Sequence, residues 1–355
     1  MNKTNIKVGI PRGLFYYQFY PLWKSFFEEL GAEIVLSDNT TRKILDDGVK
    51  KCIDEACLPV KIFHGHVASL KGKVDYLFIP RYTSISKKEY ICPKFGGLPD
   101  MIRHTFDELP KIIDTEINLR KSNRNALKAA IEIGRYFSDD TDSIKKAYRK
   151  AMANYREFRQ NVKNSTIPVE LLGKKTAGAE TQSKEEGSNR TLSNENQSNE
   201  APLNIAILGH GYNLYDNYAN MNLLAKLKEL GSRITTVDMV DGRVIQEKSK
   251  LLNKKTFWYF GTKVLGSTFH LLDRDDIDGI IYIMSFGCGI DSFICDLVER
   301  KVRRTGSIPF IIITIDEHSG EAGLNTRIEA FIDMIRWRNN YENNISSYGQ
   351  PVYLR

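Results

Sequence analysis

Apolar positions along the chain fall into short runs separated by longer stretches of helical period. Ile6-Lys-Val-Gly-Ile-Pro11 is a run ended by proline, Ala32-Glu-Ile-Val-Leu36 is a second, and Val74-Asp-Tyr-Leu-Phe-Ile-Pro80 is a third. Between the first two, Leu22, Phe26, Phe27 and Leu30 recur on one helical face until Gly31 stops it. Asp38-Asn-Thr-Thr41 offers caps for a helix striped by Leu45, Val49, Cys52, Ile53 and Ala56. Leu58-Pro59 should end that helix with Cys57 at its exit, and a further helix carrying His64 and His66 is expected from about Val60 to Leu70. Strands alternating with helices predict a parallel, Rossmann-like sheet with right-handed crossovers.

From Asn118 to Lys163 the pattern changes to long charged helices, with Leu127, Ala130, Ile131 and Ile133 on one apolar face and Tyr148, Met152, Tyr155 and Phe158 on the next. A polar tract from Lys174 to Glu200, almost without aliphatic residues, cannot bury enough surface to order itself. The first pattern then restarts at Leu203-Asn-Ile-Ala-Ile-Leu208. Leu30-Gly-Ala-Glu-Ile34 returns as Leu230-Gly-Ser-Arg-Ile234, and Val74-Asp-Tyr-Leu-Phe-Ile79 as Ile277-Asp-Gly-Ile-Ile-Tyr282. Ile308-Pro-Phe-Ile-Ile-Ile-Thr-Ile315 adds a buried strand, and Thr326 to Arg338 a closing helix.

The expected architecture is therefore α/β, with two tandem Rossmann-like parallel-sheet domains, a helical arm and a disordered linker. Its boundaries are 1–117 for the domain with Cys57 and Cys92, 118–163 for the arm and 164–202 for the flexible linker. The second domain, with Cys288, takes 203–345 and leaves a tail at 346–355.

Composition narrows the setting. The chain has 355 residues, 41% hydrophobic and 27% charged, and no apolar run approaches the roughly 20 residues needed to span a bilayer. Its N-terminus leads straight into a strand rather than a signal sequence, so a cytoplasmic protein with no membrane partner is expected. A net charge of +7 would suit anionic partners, but Lys and Arg are interspersed with Asp and Glu, and no nucleic-acid signature is present. No nucleic acid is expected.

Five cysteines without a secretory signal argue against a disulfide framework. Cys288 stands in Ser285-Phe-Gly-Cys-Gly289, in a loop at the carboxyl end of an apolar strand, where open α/β sheets bind ligands. Cys57 and Cys92 also lie beside proline at element ends, whereas Cys52 continues a helical stripe and Cys295 sits in Phe293-Ile-Cys-Asp-Leu-Val298 as a small buried hydrophobe. Cys57, Cys92 and Cys288 are expected to meet at one inorganic cofactor in the cleft between the halves. The competing reading is packing, since free cysteine is among the most buried residue types.

Thiolates select zinc or iron-sulfur centres. Zinc would need a fourth protein ligand, for which His64, His66 and His104 are candidates, while a 4Fe–4S cluster with one open iron would suit an odd trio from separate segments. Asp316-Glu-His-Ser-Gly-Glu321 after the last strand offers His318 for proton transfer, or else is a solvated loop with a helix cap. Gly209-His-Gly-Tyr-Asn-Leu-Tyr-Asp216 lacks both the third glycine of a dinucleotide site and a Walker lysine.

Several motifs together carry a resemblance. Pro11-Arg-Gly-Leu-Phe-Tyr-Tyr17, Asp54-Glu-Ala-Cys-Leu-Pro-Val-Lys61, Tyr90-Ile-Cys-Pro-Lys-Phe95 with Gly97-Leu-Pro-Asp100, Ser285-Phe-Gly-Cys-Gly289 and Asp316-Glu-His-Ser-Gly-Glu-Ala-Gly323 occur in order. With them the chain resembles the activase-related branch of the 2-hydroxyacyl-CoA dehydratase superfamily, which includes benzoyl-CoA reductase-like iron-sulfur proteins. The resemblance implies an oxygen-sensitive 4Fe–4S cluster held by Cys57, Cys92 and Cys288 between tandem Rossmann-like domains. It implies partners too: a separate ATP-dependent activator of the acetate kinase/Hsp70/actin superfamily, a related dehydratase-like subunit and an acyl-CoA-type substrate. Both a dehydratase-like lyase or reductase and a non-catalytic electron carrier or accessory subunit agree with these motifs.

Overall fold

The computed structural model describes residues 6–176, 201–252, 254, 256–306 and 308–343. The main part of the expected linker, 177–200, and the tail, 346–355, lie outside the described residues.

The short apolar runs form strands, and every pairing among the named strands is parallel. The first half contains β1 (Lys7–Ile10), β2 (Glu33–Leu36), β3 (Tyr76–Phe78), β4 (Arg81–Ser84), β5 (Lys111–Ile113) and β6 (Glu116–Asn118). Its main sheet has the order β2-β1-β3-β5, and β4 pairs with β6 alone. The second half contains β7 (Asn204–Gly209), β8 (Arg233–Thr236), β9 (Gly279–Ser285) and β10 (Phe310–Ile315), in the order β8-β7-β9-β10. Numbered within each four-stranded sheet, both orders are 2-1-3-4, so the repeated Leu-Gly signature marks one topology used twice. In both copies the helix ends at that leucine and the following strand pairs with the first.

Helices α1 (Tyr16–Glu29), α2 (Arg42–Lys51), α3 (Leu58–Leu70) and α4 (Pro93–Thr105) connect the strands of the first half. The arm is α5 (Asn125–Gly134), α6 (Thr141–Lys163) and α7 (Pro168–Thr176). The second half adds α8 (Gly211–Leu214), α9 (Leu223–Glu229), α10 (Gly242–Lys248), α11 (Tyr259–Leu272), α12 (Gly289–Thr305) and α13 (Glu321–Asn343). None of the described helices is long and apolar enough to cross a membrane.

Four local expectations change. Helix α2 stops at Lys51 instead of running to Ala56: Cys52 is its extended C-cap and Ile53 is 63% exposed. Pro59 lies in the first turn of α3, where its missing N–H costs no hydrogen bond, so it opens a helix rather than closing one. Arg81, expected in a loop after the Val74–Pro80 run, instead opens a strand, Arg81–Ser84, with Tyr82 and Ser84 turned inward. At the front of the expected linker, 168–176 is helical, and Ile167 and Leu172 are buried. The polar composition begins only at Lys174, which leaves this segment enough apolar surface to pack.

Two large cores result. The first includes Phe26, Phe27, Leu77, Ile113, Ile133 and Ile144 and so joins the first sheet to the arm. The second gathers Ile205, Ile207, Tyr282, Ile283 and Ile313 about the second sheet. Helix α3 belongs to both, giving Phe63, Val67 and Leu70 to the first and Leu58 and Ile62 to the second.

A buried charge cluster fastens the arm to the second half. Lys263 Nζ lies 2.6 Å and Arg159 Nη1 3.3 Å from Asp238 Oδ1, and the Tyr215 hydroxyl donates to Oδ2 at 2.9 Å. Burial alone would raise the Asp238 carboxyl, but the positive charges of Lys263 and Arg159 outweigh it and hold it at about 2, below the usual 3.8. Asp238→Asn would leave Lys263 buried without its anionic partner and is expected to cost about 3 to 5 kcal/mol in urea unfolding. Because the folded pKa is depressed, the stabilisation is fully present above 3.8 and is lost as pH falls through about 2. Wild-type and Asp238→Asn unfolding free energies should therefore converge across that acid range.

Candidate metal centre at three helix N-termini

The three cysteines singled out by their loops share one structural position. Cys57 is the N-cap of α3, Cys92 of α4 and Cys288 of α12. Pro93 supplies the preformed first turn behind Cys92, as Pro59 does behind Cys57. The first backbone N–H groups of a helix have no partner inside it, and its macrodipole is positive at that end, so each sulfur sits where negative charge is favoured.

The three positions are close enough to act on one another. Cys288 packs against the small cluster of Cys52, Ala56, Cys57 and Val60. A methyl added at Gly287 would lie 3.8 Å from the Cys57 Cα, so the loop from the second half abuts the loop from the first. Burial raises all three thiols, Cys288 to about 12. Charge on Cys57 pushes Cys92 further up, and charge on Asp291, Cys57 and Cys92 does the same to Cys288. The backbone amides of Val60, Lys94 and Asp291 oppose these effects and favour the thiolates. Thiols near each other, buried or half-buried and facing amide donors, are suited to a cation that takes their protons' place.

The other two cysteines divide. Cys295 is 3% exposed in the second core, as a small hydrophobe should be. Cys52 is buried too, but as the cap of α2 it packs beside Cys57 rather than along a helical stripe.

Of the expected histidines, none has a described contact with the cysteines. His64 bonds through Nδ1 to its own helix at the Val60 carbonyl, 2.8 Å away. His66 lies 3.0 Å from the Thr40 hydroxyl, which itself donates to Asp216, and burial followed by the charge of Arg12 lowers it to about 3. His104 and His318 are exposed. The His318 loop is an Asp316 turn, in which the His318 backbone N–H and the Ser319 hydroxyl both donate to Asp316 Oδ1 at 2.9 Å. Its anchor is Glu317, 2.5 Å from Lys61 Nζ on α3.

The histidine within ligand reach is His210. One ring nitrogen of His210, Cys288 Sγ and one carboxylate oxygen of Asp291 lie within 4.8 Å of one another. Asp291 accepts from the Tyr282 hydroxyl at 2.5 Å, and His210 Nε2 is 3.4 Å from the same oxygen. Burial lowers His210 and raises Asp291, while each partially offsets the shift of the other. Tyr212 stacks on His210 with centroids 5.1 Å apart. Burial first, then charge on Cys288, Cys57, Asp291 and Cys92, pushes its phenol well above the usual value. The phenol therefore keeps its proton, and its O–H is a hydrogen-bond donor. Sequence reading weighed the Gly209–Asp216 loop only as a nucleotide site. The available signals were a histidine directly after one strand, with Cys288 three residues after another, and an aspartate one helical turn beyond Cys288.

A family model described as CoA enzyme activase uncharacterised domain (DUF2229) matches residues 7–240. The chain belongs to this family. The matched span includes Cys57, Cys92 and His210 and stops before Cys288 and Asp291. No curated protein matches the chain.

In this family member, two glycines hold Cys57 in place. Where α2 crosses α3, a methyl on Gly48 would fall 2.0 Å from the Lys61 carbonyl oxygen, and one on Gly65 would fall 1.8 Å from that of Ile44. The two helices are in backbone contact, and any larger residue must drive them apart. Gly65→Ala is therefore expected to destabilise by at least the 1 to 3 kcal/mol or so typical of overpacking, read by thermal and urea unfolding. Gly242→Ala, where the added methyl meets nothing within 4 Å, should stay near wild type.

Proposed function

We propose that the protein holds one 4Fe–4S cluster through Cys57, Cys92 and Cys288 and works in low-potential dehydration or reduction of an acyl-CoA-type substrate. The observation that carries this reading is the shared N-cap position of three thiols from three distant segments. Packing alone gives no reason for three cysteines to occupy helix N-termini within electrostatic range of one another. Soft sulfur donors from separate segments fit an iron-sulfur group, and family membership fits a CoA enzyme system.

When bound, the cluster would supply one-electron chemistry and a Lewis-acidic iron. The chain's own residues do the rest. The N-termini of α3, α4 and α12 offset the negative charge of the thiolates. Tyr212 keeps its proton and offers it as a hydrogen bond. Phe260, whose ring lies 4.5 Å from that of His210 and 6.0 Å from that of Phe95, helps to exclude water from the buried side. In this reading electrons come from a separate ATP-dependent activator of the acetate kinase/Hsp70/actin superfamily, and a related dehydratase-like subunit is a further partner. Such chemistry belongs in an anaerobic cytoplasm.

A substitution series tests the ligand set. After anaerobic reconstitution, Cys57→Ser, Cys92→Ser and Cys288→Ser should each lose most of the bound iron and the broad visible absorption. Cys52→Ser and Cys295→Ser should keep both and lose on the order of 1 to 3 kcal/mol of stability from a buried hydroxyl. Wild-type protein that binds zinc and stays colourless, or takes up no metal, would sink the proposal.

A further inference from the structure

The His210 side chain raises a question that the three cysteines do not answer. His210 is 3% exposed, and neither ring nitrogen has a hydrogen-bond partner among the described residues. Asp291 is fully buried, and its Oδ2 is likewise without a partner. The rings of Tyr212 and Phe260 flank the imidazole at 5.1 and 4.5 Å and give it no acceptor. Each such buried polar atom works against folding unless something binds it.

The backbone holds this histidine in one place. Strands β7 and β9 are neighbours, with Gly209 opposite Ile283, so the loops carrying His210 and Cys288 leave the same sheet edge side by side. Gly209 has φ +137°, and a methyl there would fall 2.3 Å from the Ile283 carbonyl oxygen. Only glycine fits, and His210 follows it directly.

The chemistry of the donors then points one way. A histidine that binds a metal usually turns its second ring N–H to a carboxylate, which fixes the tautomer and the plane of the ring. Asp291 stands at that place, 3.4 Å from Nε2, and is itself fixed by the Tyr282 hydroxyl. The 3.4 Å approach is not yet a hydrogen bond, but an Nε2–H turned onto Asp291 would leave the Nδ1 lone pair free. Imidazole and thiolate both suit iron, whereas carboxylate oxygen is the harder donor of the set.

We propose that His210 is the fourth protein ligand of the centre held by Cys57, Cys92 and Cys288, and that Asp291, braced by Tyr282, orients its ring. This rests on the three-cysteine reading and changes what that centre can do. With His210 bound, every metal position has a protein ligand, and a substrate gains access only by displacing the imidazole. Without such displacement the protein is an electron carrier.

The test uses full-length protein labelled with ¹⁵N at histidine only and reconstituted anaerobically with iron and sulfide. Pulsed electron paramagnetic resonance of the reduced cluster should show one strongly coupled histidine nitrogen. That coupling should vanish in His210→Ala while bound iron is retained, and its magnitude should shift in Asp291→Asn. A cluster signal with no histidine coupling in wild type overturns the assignment and leaves the three-cysteine reading standing. Failure of wild type to form a cluster removes both. The wild-type spectrum decides by itself, so the test does not depend on whether His210→Ala folds.

Discussion

Helix α3 is the constraint on which the rest depends. Eleven of its thirteen residues are buried, from Leu58 to Val67 and again at Leu70. A surface helix has one apolar stripe, but this one must satisfy neighbours on all sides. It gives side chains to both large cores, meets α2 backbone to backbone through Gly48 and Gly65, and holds the loop after β10 through the Lys61–Glu317 pair. Lys61 is 3% exposed, so that pair joins the first half to the second through a largely desolvated contact. Cys57 begins this helix and inherits its rigidity. A loop cysteine would cost entropy to position, whereas this one is placed by the packing of both halves.

The electrostatics of the centre work against leaving it as bare thiolates. Burial raises each sulfur's proton affinity, and charge on Cys57 raises that of Cys92 and Cys288 further. Helix N-termini and first-turn amides pull the other way, yet they favour negative charge without neutralising it. A bound cation resolves the conflict, because it replaces protons that the site holds tightly and needs thiolates that the amides already solvate. His210 adds two ring nitrogens, and Asp291 one carboxylate oxygen, that lack partners among the described residues. The aromatic layer of Phe15, Phe95, Tyr212 and Phe260 closes the buried side of this region.

Much of this was legible in the sequence because the strands are short, apolar and bounded by glycine or proline. The repeat of Leu30-Gly31 at Leu230-Gly231 correctly announced two sheets of one topology. Proline was harder to interpret. Pro59 reads equally well as the end of α2 or the opening of α3, and only tertiary packing decides between them. That one ambiguity moved Cys57 from a helix exit to a helix entrance and hid the position it shares with Cys92 and Cys288. Cys52 was misread for the same reason, since its stripe continued on paper past the point where the helix ends. His210 was invisible to spacing arguments. It is 78 residues before Cys288, by the difference of their numbers, and the two meet only because β7 and β9 are adjacent in the sheet. His318 shows the converse: a charged loop after a strand draws notice, yet it is Glu317 that makes the structural contact.

The central claim is that one iron-containing group sits where α3, α4 and α12 begin. Crystals grown from anaerobically reconstituted protein, with data collected on both sides of the iron absorption edge, address it most directly. The account predicts a single strong anomalous iron peak bounded by Cys57, Cys92 and Cys288. An anomalous peak that appears only at the zinc edge, or iron bound anywhere else in the molecule, would contradict it.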